Sequence, residues 1–315
     1  MNWEDAKKRA TIINNIRQFF AERDVVEVET PLLSAGTVTD VHLDAFSTTY
    51  AFNSVTGSTL YLQTSPEFAM KRLLSSGYQS IYQLGKAFRN EDYGNNHNPE
   101  FTMLEWYRIG FDHHQLINEV SELLITILQC EQPSIITYQE AFLSVLSIDP
   151  LEASIDELKS FVGSKGDLAD WLVEDHDKDT LLQFMFASYI ECVIGVKAPV
   201  IVYDFPASQA SLAKISQDDP RVAERFEVYY KGVELANGFN ELTNALEQEE
   251  RFKRDNLQRR SKGLEEKPID HRFLEALISG IPNCAGVALG VDRLIMLALE
   301  KNTIEEVMTF SVGNA

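Results

Sequence analysis

The chain reads as an α+β fold in which an antiparallel β-sheet is flanked by helices. Three observations predict this. Segments of strand character come in groups instead of alternating singly with helices, which favours antiparallel pairing over βαβ crossovers. Two strand-like runs on either side of the polar loop Asp92-Tyr93-Gly94-Asn95-Asn96-His97-Asn98 read as one hairpin. Two more flank Tyr230-Lys231-Gly232-Val233, which has the residues of a tight turn.

Taken in order, Ala10, Ile13, Ile16, Phe19 and Phe20 recur at helical spacing, predicting an amphipathic helix over 5–22. Val26-Glu27-Val28-Glu29-Thr30 then alternates as a strand does and stops at Pro31. Strands are expected over 58–64 and 80–91 with a helix over 66–76 between them, and a return strand over 99–107. Helical patterns over 112–129 and 137–195 suggest a mostly helical insertion at about 110–198 within a single domain spanning 1–315. Strands are expected again at 200–205 and 223–243. A charged helix near 245–262, a helix near 270–279, a strand at 284–290 and a helix from 291 complete the chain.

Composition narrows the class. Hydrophobic residues make up 44% and charged residues 24%, the balance of a soluble globular protein. No apolar run approaches the roughly 20 residues of a membrane span, and Met1-Asn2-Trp3-Glu4-Asp5 lacks the form of an export signal. Cys130, Cys192 and Cys284 have no zinc or redox spacing and read as buried or inert thiols. A cytoplasmic protein with no membrane partner is expected. The 28 Lys and Arg against 48 Asp and Glu give a formal charge of −20, which opposes extensive contact with a polyanion.

Several residue sets carry candidate chemistry. On an extended strand Arg89 and Glu91 share a face, as do Phe101, Met103, Glu105 and Tyr107 on the return strand. A guanidinium there can hold a carboxylate or phosphate through paired hydrogen bonds, and Phe101 can stack on a purine. An ordinary hairpin with surface ion pairs is the alternative that these residues alone leave open. A two-residue loop at Lys231-Gly232 would pair Tyr229 with Glu234 and make Glu227 its diagonal neighbour. Two carboxylates so placed, facing a polyphosphate, suit Mg²⁺; solvated strand glutamates are the alternative. Asn237, Phe239 and Glu241 alternate onto the face opposite Glu234, so one cleft lined by all four requires a bulge, expected near Asn237-Gly238. Glu105 and Glu241 would then converge, and buried like charges need a cation. A lysine-like ammonium of a ligand is one source, and Arg108 or Arg251 of the chain is another. Finally, Gly286-Val287-Ala288-Leu289-Gly290-Val291-Asp292-Arg293 is a small-residue strand entering a helix, where backbone can approach a ligand and Arg293 can reach a phosphate.

The segments Phe19–Pro31, Phe88–Tyr107, Glu227–Leu242 and Gly286–Arg293 resemble, in order, motifs 1, 2 and 3 of class II aminoacyl-tRNA synthetases of the lysyl type, and the resemblance covers essentially the whole chain. More narrowly, Thr64-Ser65-Pro66-Glu67 and the run Phe205–Ala213 resemble the freestanding paralogues that ligate (R)-β-lysine to elongation factor P. The resemblance implies a class II core without an N-terminal OB-fold anticodon-binding domain, with ATP as substrate and Mg²⁺ as cofactor. It implies that Arg89 holds the α-phosphate and the substrate carboxylate, with Phe101 on adenine. Glu91, His97, Asn98 and Glu234 would contact ATP, Arg293 its γ-phosphate end, and Glu227 with Glu234 the metal. Ser65 and Glu67 would bind near the substrate carboxylate. Glu105, Tyr107, Asn237, Phe239 and Glu241 would surround the side-chain ammonium.

One departure stands out. Lysyl synthetases usually read G-x-G-x-G-x-D-R in motif 3, and this chain has Ala288 at the middle glycine. The added methyl is expected to disfavour α-lysine and suit an amino group on the β-carbon, with neutral drift as the alternative. The resemblance also implies a homodimer through motif 1, around residues 10–31, with elongation factor P as protein substrate and no stable tRNA binding. A truncated synthetase acting on tRNA, a non-catalytic regulatory paralogue and a small-molecule ligase stay open. The basic run Arg251, Lys253, Arg254, Arg259, Arg260 and Lys262 reads as a solvated helix face or a docking patch for an acidic partner.

Overall fold

The structure, a computed structural model, describes residues 1–52, 57–91, 93–167 and 169–315. Asp92, at the head of the polar loop, lies outside the described residues. The chain begins with α1 (Trp3–Ala21), capped by the Asn2 side chain, which accepts from the Asp5 amide. Strands β1 (Val26–Glu27), β2 (Leu33–Ser34), β3 (Ser47–Tyr50) and β4 (Ser58–Leu62) precede α2 (Glu67–Ser75). The hairpin β5 (Ile81–Phe88) and β6 (Glu100–Ile109) leads to α3 (His113–Leu128). Strand β7 (Ser134–Thr137) follows, then helices α4 (Tyr138–Leu146), α5 (Ile155–Lys165), α6 (Asp170–Glu174) and α7 (Lys178–Met185), the last running into a π-turn at Phe186–Ile190. Strands β8 (Val200–Pro206), β9 (Val222–Tyr230) and β10 (Val233–Asn240) come next. Helices α8 (Ala245–Ser261) and α9 (His271–Ser279), strand β11 (Cys284–Gly290) and helix α10 (Val291–Ala298) complete the order.

Two compact units form, one from Met1–Gln129 with Asn240–Ala315, the other from Cys130–Phe239. In the first, β5, β6 and β11 pair antiparallel and β1 joins β5 parallel at the edge. A second, small antiparallel sheet has the order β2-β4-β3. Phe20 of α1 stacks on Tyr82 at 4.5 Å between centroids and meets Trp106 edge-on at 5.3 Å, seating the helix on the sheet. In the second unit, β8, β9 and β10 are antiparallel and β7 lies parallel to β8. Its core gathers Tyr138, Phe142, Phe186, Phe205 and Tyr229. The α+β class with a mostly antiparallel sheet and flanking helices is the architecture observed.

Particular expectations change. The strand expected over 26–30 contracts to Val26–Glu27, where the edge pairing with β5 ends. Strands β2, β3 and β7 were not legible. Each is four residues or fewer, and β7 runs straight into α4, whose capping box joins Thr137 to Glu140. The strand expected over 80–91 ends at Phe88, so Arg89 and Glu91 lie beyond the ladder and their positions do not follow strand alternation. The Arg89 amide still donates to Pro99 O at 2.9 Å. All three cysteines are free, but only Cys284 is buried and Cys192 is exposed. Among the described residues no helix is long and apolar enough to cross a membrane.

Candidate active site

The first unit contains a buried cluster of carboxylates built on α2, β6 and the segment after β10. Alternation along β6 puts Glu105 and Tyr107 on one face, where the Tyr107 hydroxyl donates to Glu105 Oε1 at 2.7 Å. Ser65 Oγ donates to Glu105 Oε2 at 2.6 Å and accepts from the Glu67 amide at 3.0 Å, closing the start of α2. Glu241 is 1% exposed, and its amide donates to Cys284 O. Between these acids sits Lys71, also 1% exposed. Its ammonium donates to Glu67 Oε1 at 2.6 Å and lies 2.6 Å from Glu241 Oε2. The Phe273 ring is 5.7 Å away, within cation–π range.

Electrostatics follow from burial. Desolvation, then repulsion from Glu67, raises the Glu105 carboxyl to about 7 against the hydrogen bonds from Ser65 and Tyr107. Desolvation likewise lifts Glu241, to about 8, although Lys71 opposes it. Burial would drive Lys71 towards its neutral form, but Glu241 and Glu67 outweigh it and keep the ammonium charged. Burial and the neighbouring carboxylates push Tyr107 well above the ordinary tyrosine value, which makes it a neutral donor. The cation expected between Glu105 and Glu241 is therefore present within the chain, and it is neither arginine that was considered. Arg108 turns to the opposite face of β6 and pairs with Glu119 at 3.3 Å, while Arg251 pairs with Glu247 one helical turn away.

Strand β11 forms the adjoining surface. Ala288 lies directly opposite Glu105 and Gly286 opposite Tyr107, so both face the carboxylates. A Cβ on Gly286 would come within 2.5 Å of Glu241 Oε1 and 2.6 Å of Tyr107 Cδ1. Of the two positions, Gly286 is the one with no room for a methyl.

A second group gathers around the loop after β5. The Arg89 guanidinium lies 5.3 Å from the Phe101 ring centroid, and its buried Nε has no hydrogen-bond partner among the described residues. Glu91 is raised by burial and tempered first by Arg89, and Arg293 also lies within range of its charge. Arg293 Nε donates to Asn96 O at 3.1 Å, and its Nη2 is 2.8 Å from His97 Nε2. Asp292 fixes the start of α10, accepting from the Thr102 amide at 2.6 Å and pairing with Arg9 at 2.7 Å. The Asn98 amide braces the loop: it donates to Glu100 O at 2.6 Å and accepts from the Val312 amide at 2.9 Å.

The second unit holds Glu227, Glu234, Asn237 and Phe239 on the β9–β10 hairpin. Lys231 and Gly232, both at positive φ, form the two-residue loop, and Glu234 pairs with Tyr229. The ladder shifts register between Glu234 and Ala236, which leaves Asn237 opposite Glu227. A bulge thus occurs, but at Leu235 and not at Asn237-Gly238. It brings Asn237 onto the face that Glu227 and Glu234 already share. Arg225 and the Tyr229 hydroxyl both bond the Glu227 carboxylate, and Arg225 Nε donates to Asn237 Oδ1 at 3.3 Å. Phe239 packs on Ala210, Ala213 and Ala223. Arg225, unmentioned in the sequence reading, is the residue that organises this face. Its alternation with Glu227 was the available signal. Among the described residues no group of three His, Cys, Asp or Glu is gathered as a metal cage. Glu227 and Glu234, two carboxylates on one face of the hairpin, do fit Mg²⁺, which takes a few carboxylates and completes its shell with phosphate oxygens and water.

Residues 3–313 match the family of class II tRNA synthetases (D, K and N). The chain is 58% identical over 310 residues to an elongation factor P-(R)-β-lysine ligase of Vibrio cholerae, covering 98% of this chain and 95% of that protein. It is 56% identical over 309 residues to the Proteus mirabilis protein of the same name, at the same coverage. A Photorhabdus laumondii protein, also so named, is 54% identical over 321 residues, covering 100% of this chain and 98% of its own.

Proposed function

The chain belongs to the class II tRNA synthetase family (D, K and N), and on that footing we propose that it activates (R)-β-lysine with ATP and transfers it to a lysine ε-amine of elongation factor P. It is an ATP-dependent ligase. The observation that carries the substrate reading is the set Glu67, Glu105 and Glu241, the last two fully buried, whose three carboxylates outnumber the one ammonium among them and so favour a cationic ligand. The relatives from Vibrio cholerae, Proteus mirabilis and Photorhabdus laumondii are named for the same reaction.

In the first step the carboxylate oxygen of the amino acid attacks the α-phosphorus, the bond from that phosphorus to the bridging oxygen breaks, and pyrophosphate leaves. Arg89, backed by Phe101 and with its Nε unpartnered, orients the carboxylate and takes up charge on the phosphoryl oxygens. Arg293, held between Asn96 and His97, steadies the departing phosphates. Glu227 and Glu234 would hold Mg²⁺, which supplies charge neutralisation on phosphate oxygens. In the second step the neutral ε-amine attacks the carbonyl carbon of the mixed anhydride, AMP leaves, and the amine releases a proton. Positioning supplies most of the rate, with no covalent enzyme intermediate. Ser65 and Glu67 bind the amino group near the carboxylate, and Tyr107 donates within the ammonium site. Asn98 and Glu91 line the nucleotide loop, and Asn237 and Phe239 are the β10 residues that the resemblance to lysyl-type synthetases assigns to the side-chain ammonium.

The protein acts in the cytoplasm, as a homodimer through α1 and the segment to Pro31. The exposed apolar side chain of Val26, within that segment, supports that reading. Amino-acid-dependent ATP–pyrophosphate exchange is the test, with (R)-β-lysine and α-lysine as substrates and elongation factor P and tRNA as acceptors. Exchange with β-lysine and transfer to the protein acceptor are expected. Exchange with α-lysine and transfer to tRNA would make the chain a truncated synthetase instead.

A further inference from the structure

The carboxylate cluster contains a cation that a site for cationic ligands does not obviously need. Lys71 is as buried as Glu105 and Glu241, and it touches Glu241 and the less buried Glu67 at 2.6 Å each. Glu67 and Lys71 are four residues apart on α2 with the acid N-terminal, the favourable order for a helical pair. Facing Lys71 from every packed element are Glu67 on its own helix, Glu241 after β10, Glu105 with Tyr107 on β6, and the Phe273 ring on α9. With all acids ionised, three carboxylates and one ammonium leave a net charge of minus two. Without Lys71 it would be minus three, and buried carboxylates in that position recruit protons instead.

We propose that Lys71 is a specificity-determining positioning residue: it ties Glu67 to Glu241 and sets the ionised cluster at minus two, the charge that a ligand with two ammonium groups neutralises. The inference rests on the diamino-acid reading above and deepens it. A monoamino acid would leave one buried negative charge unmatched, so its carboxylate partner stays protonated and its affinity stays low. The linkage with pH has a definite sign. Glu105 and Glu241 hold protons up to about 7 and about 8, while a dication binds the ionised forms. KM for the diamino acid therefore falls as pH rises through that window and levels off above it. Removing the Lys71 ammonium raises both acids further, because it lowers each of them now.

The test measures KM and kcat for (R)-β-lysine in the exchange reaction across pH, for the wild type, Lys71→Met and Lys71→Arg, with thermal melts of each. For Lys71→Met we expect KM to rise about tenfold at neutral pH and the midpoint of the KM profile to move up by about one pH unit, a factor of ten per unit. The effect on kcat should be smaller, because the reacting carboxylate lies with Arg89. Lys71→Arg restores the charge and should return the midpoint to its wild-type position even if KM stays raised. A folded Lys71→Met variant with an unmoved midpoint overturns the proposal, as does a Lys71→Arg midpoint displaced as far as that of Lys71→Met. If Lys71→Met does not fold, Lys71→Met with Glu67→Gln keeps the charge at minus two. Its midpoint should match the wild type, and a displacement of a unit or more overturns the proposal. Absence of exchange by the wild type with any diamino acid would remove the functional reading itself, a result distinct from all of these.

Discussion

A methyl on Gly286 would press against both Glu241 and Tyr107, which are themselves buried. Gly286→Ala is therefore expected to raise KM for the amino acid by at least tenfold and to lower thermal stability, since overpacking costs about 1–3 kcal/mol. Ala288 is two residues on and opposite Glu105, where a methyl is already accommodated. Ala288→Gly should shift the preference between α- and β-lysine by about 1–3 kcal/mol, the usual scale of a one-methyl sieve. Exchange rates with both amino acids measure it, and an unchanged ratio would leave Ala288 as drift. Glu105, Tyr107 and Glu241 were legible because strand alternation and the motif spacing both point to them. Lys71 was not. A Glu-Lys pair four apart on a helix is ordinarily a solvated surface pair, and only the burial of that helix face by Phe68 and Leu74 turns it into part of the site.

At the scale of elements, the residues that the sequence aligns and those that the backbone aligns differ by one bulge. Alternation alone sends Asn237 away from Glu234, and the extra residue Leu235 brings Asn237 back to the face that Glu234 shares with Glu227. The need for a bulge was readable, but its location was not, because glycine marks where a bulge is easy and the side-chain packing of Leu235, which is buried, decides where it forms. The loop after β5 shows a similar dependence on distant chain. The Ile304 amide donates to Asn95 O at 2.9 Å, Val312 donates to Asn98, and Tyr93 donates to Glu305 at 3.2 Å. The C-terminal segment thus clamps the loop whose neighbours Arg89 and Arg293 serve ATP in the proposed reaction. Removing residues 312–315 takes away the donor to Asn98 Oδ1 and leaves the bond to Glu100 O, and one such hydrogen bond is worth about 1 kcal/mol. KM for ATP should rise several-fold with KM for the amino acid unchanged. An equal rise in both would mean that the tail acts on the fold as a whole.

At the scale of the molecule, the formal charge of −20 bears on the choice of acceptor. Binding of tRNA draws most of its affinity from phosphates neutralised by Lys and Arg, so a usable patch must escape the surrounding acids. The densest basic run, on α8, does not escape them. Arg251 pairs with Glu247, Lys253 with Glu249 and Arg260 with Glu266, while Arg259 bonds the carbonyls of Glu265 and Asp40 at 2.7 and 2.8 Å. What reads as a basic stripe in sequence is largely neutralised by its own helix and the turn after it, a compensation visible only once the acids four to six residues away are placed beside it. Titration with tRNA at about 0.15 M salt should therefore show no complex tighter than the 10⁻⁴–10⁻⁶ M typical of non-specific binding. Added tRNA should leave transfer of β-lysine to elongation factor P unslowed. Tight binding that weakens steeply with salt would reveal a phosphate-reading surface and return the chain to the tRNA-charging role of its family. A weak, salt-insensitive interaction leaves a protein acceptor as the consumer of the activated amino acid, because the adenylate then has no nucleic acid held close enough to receive it.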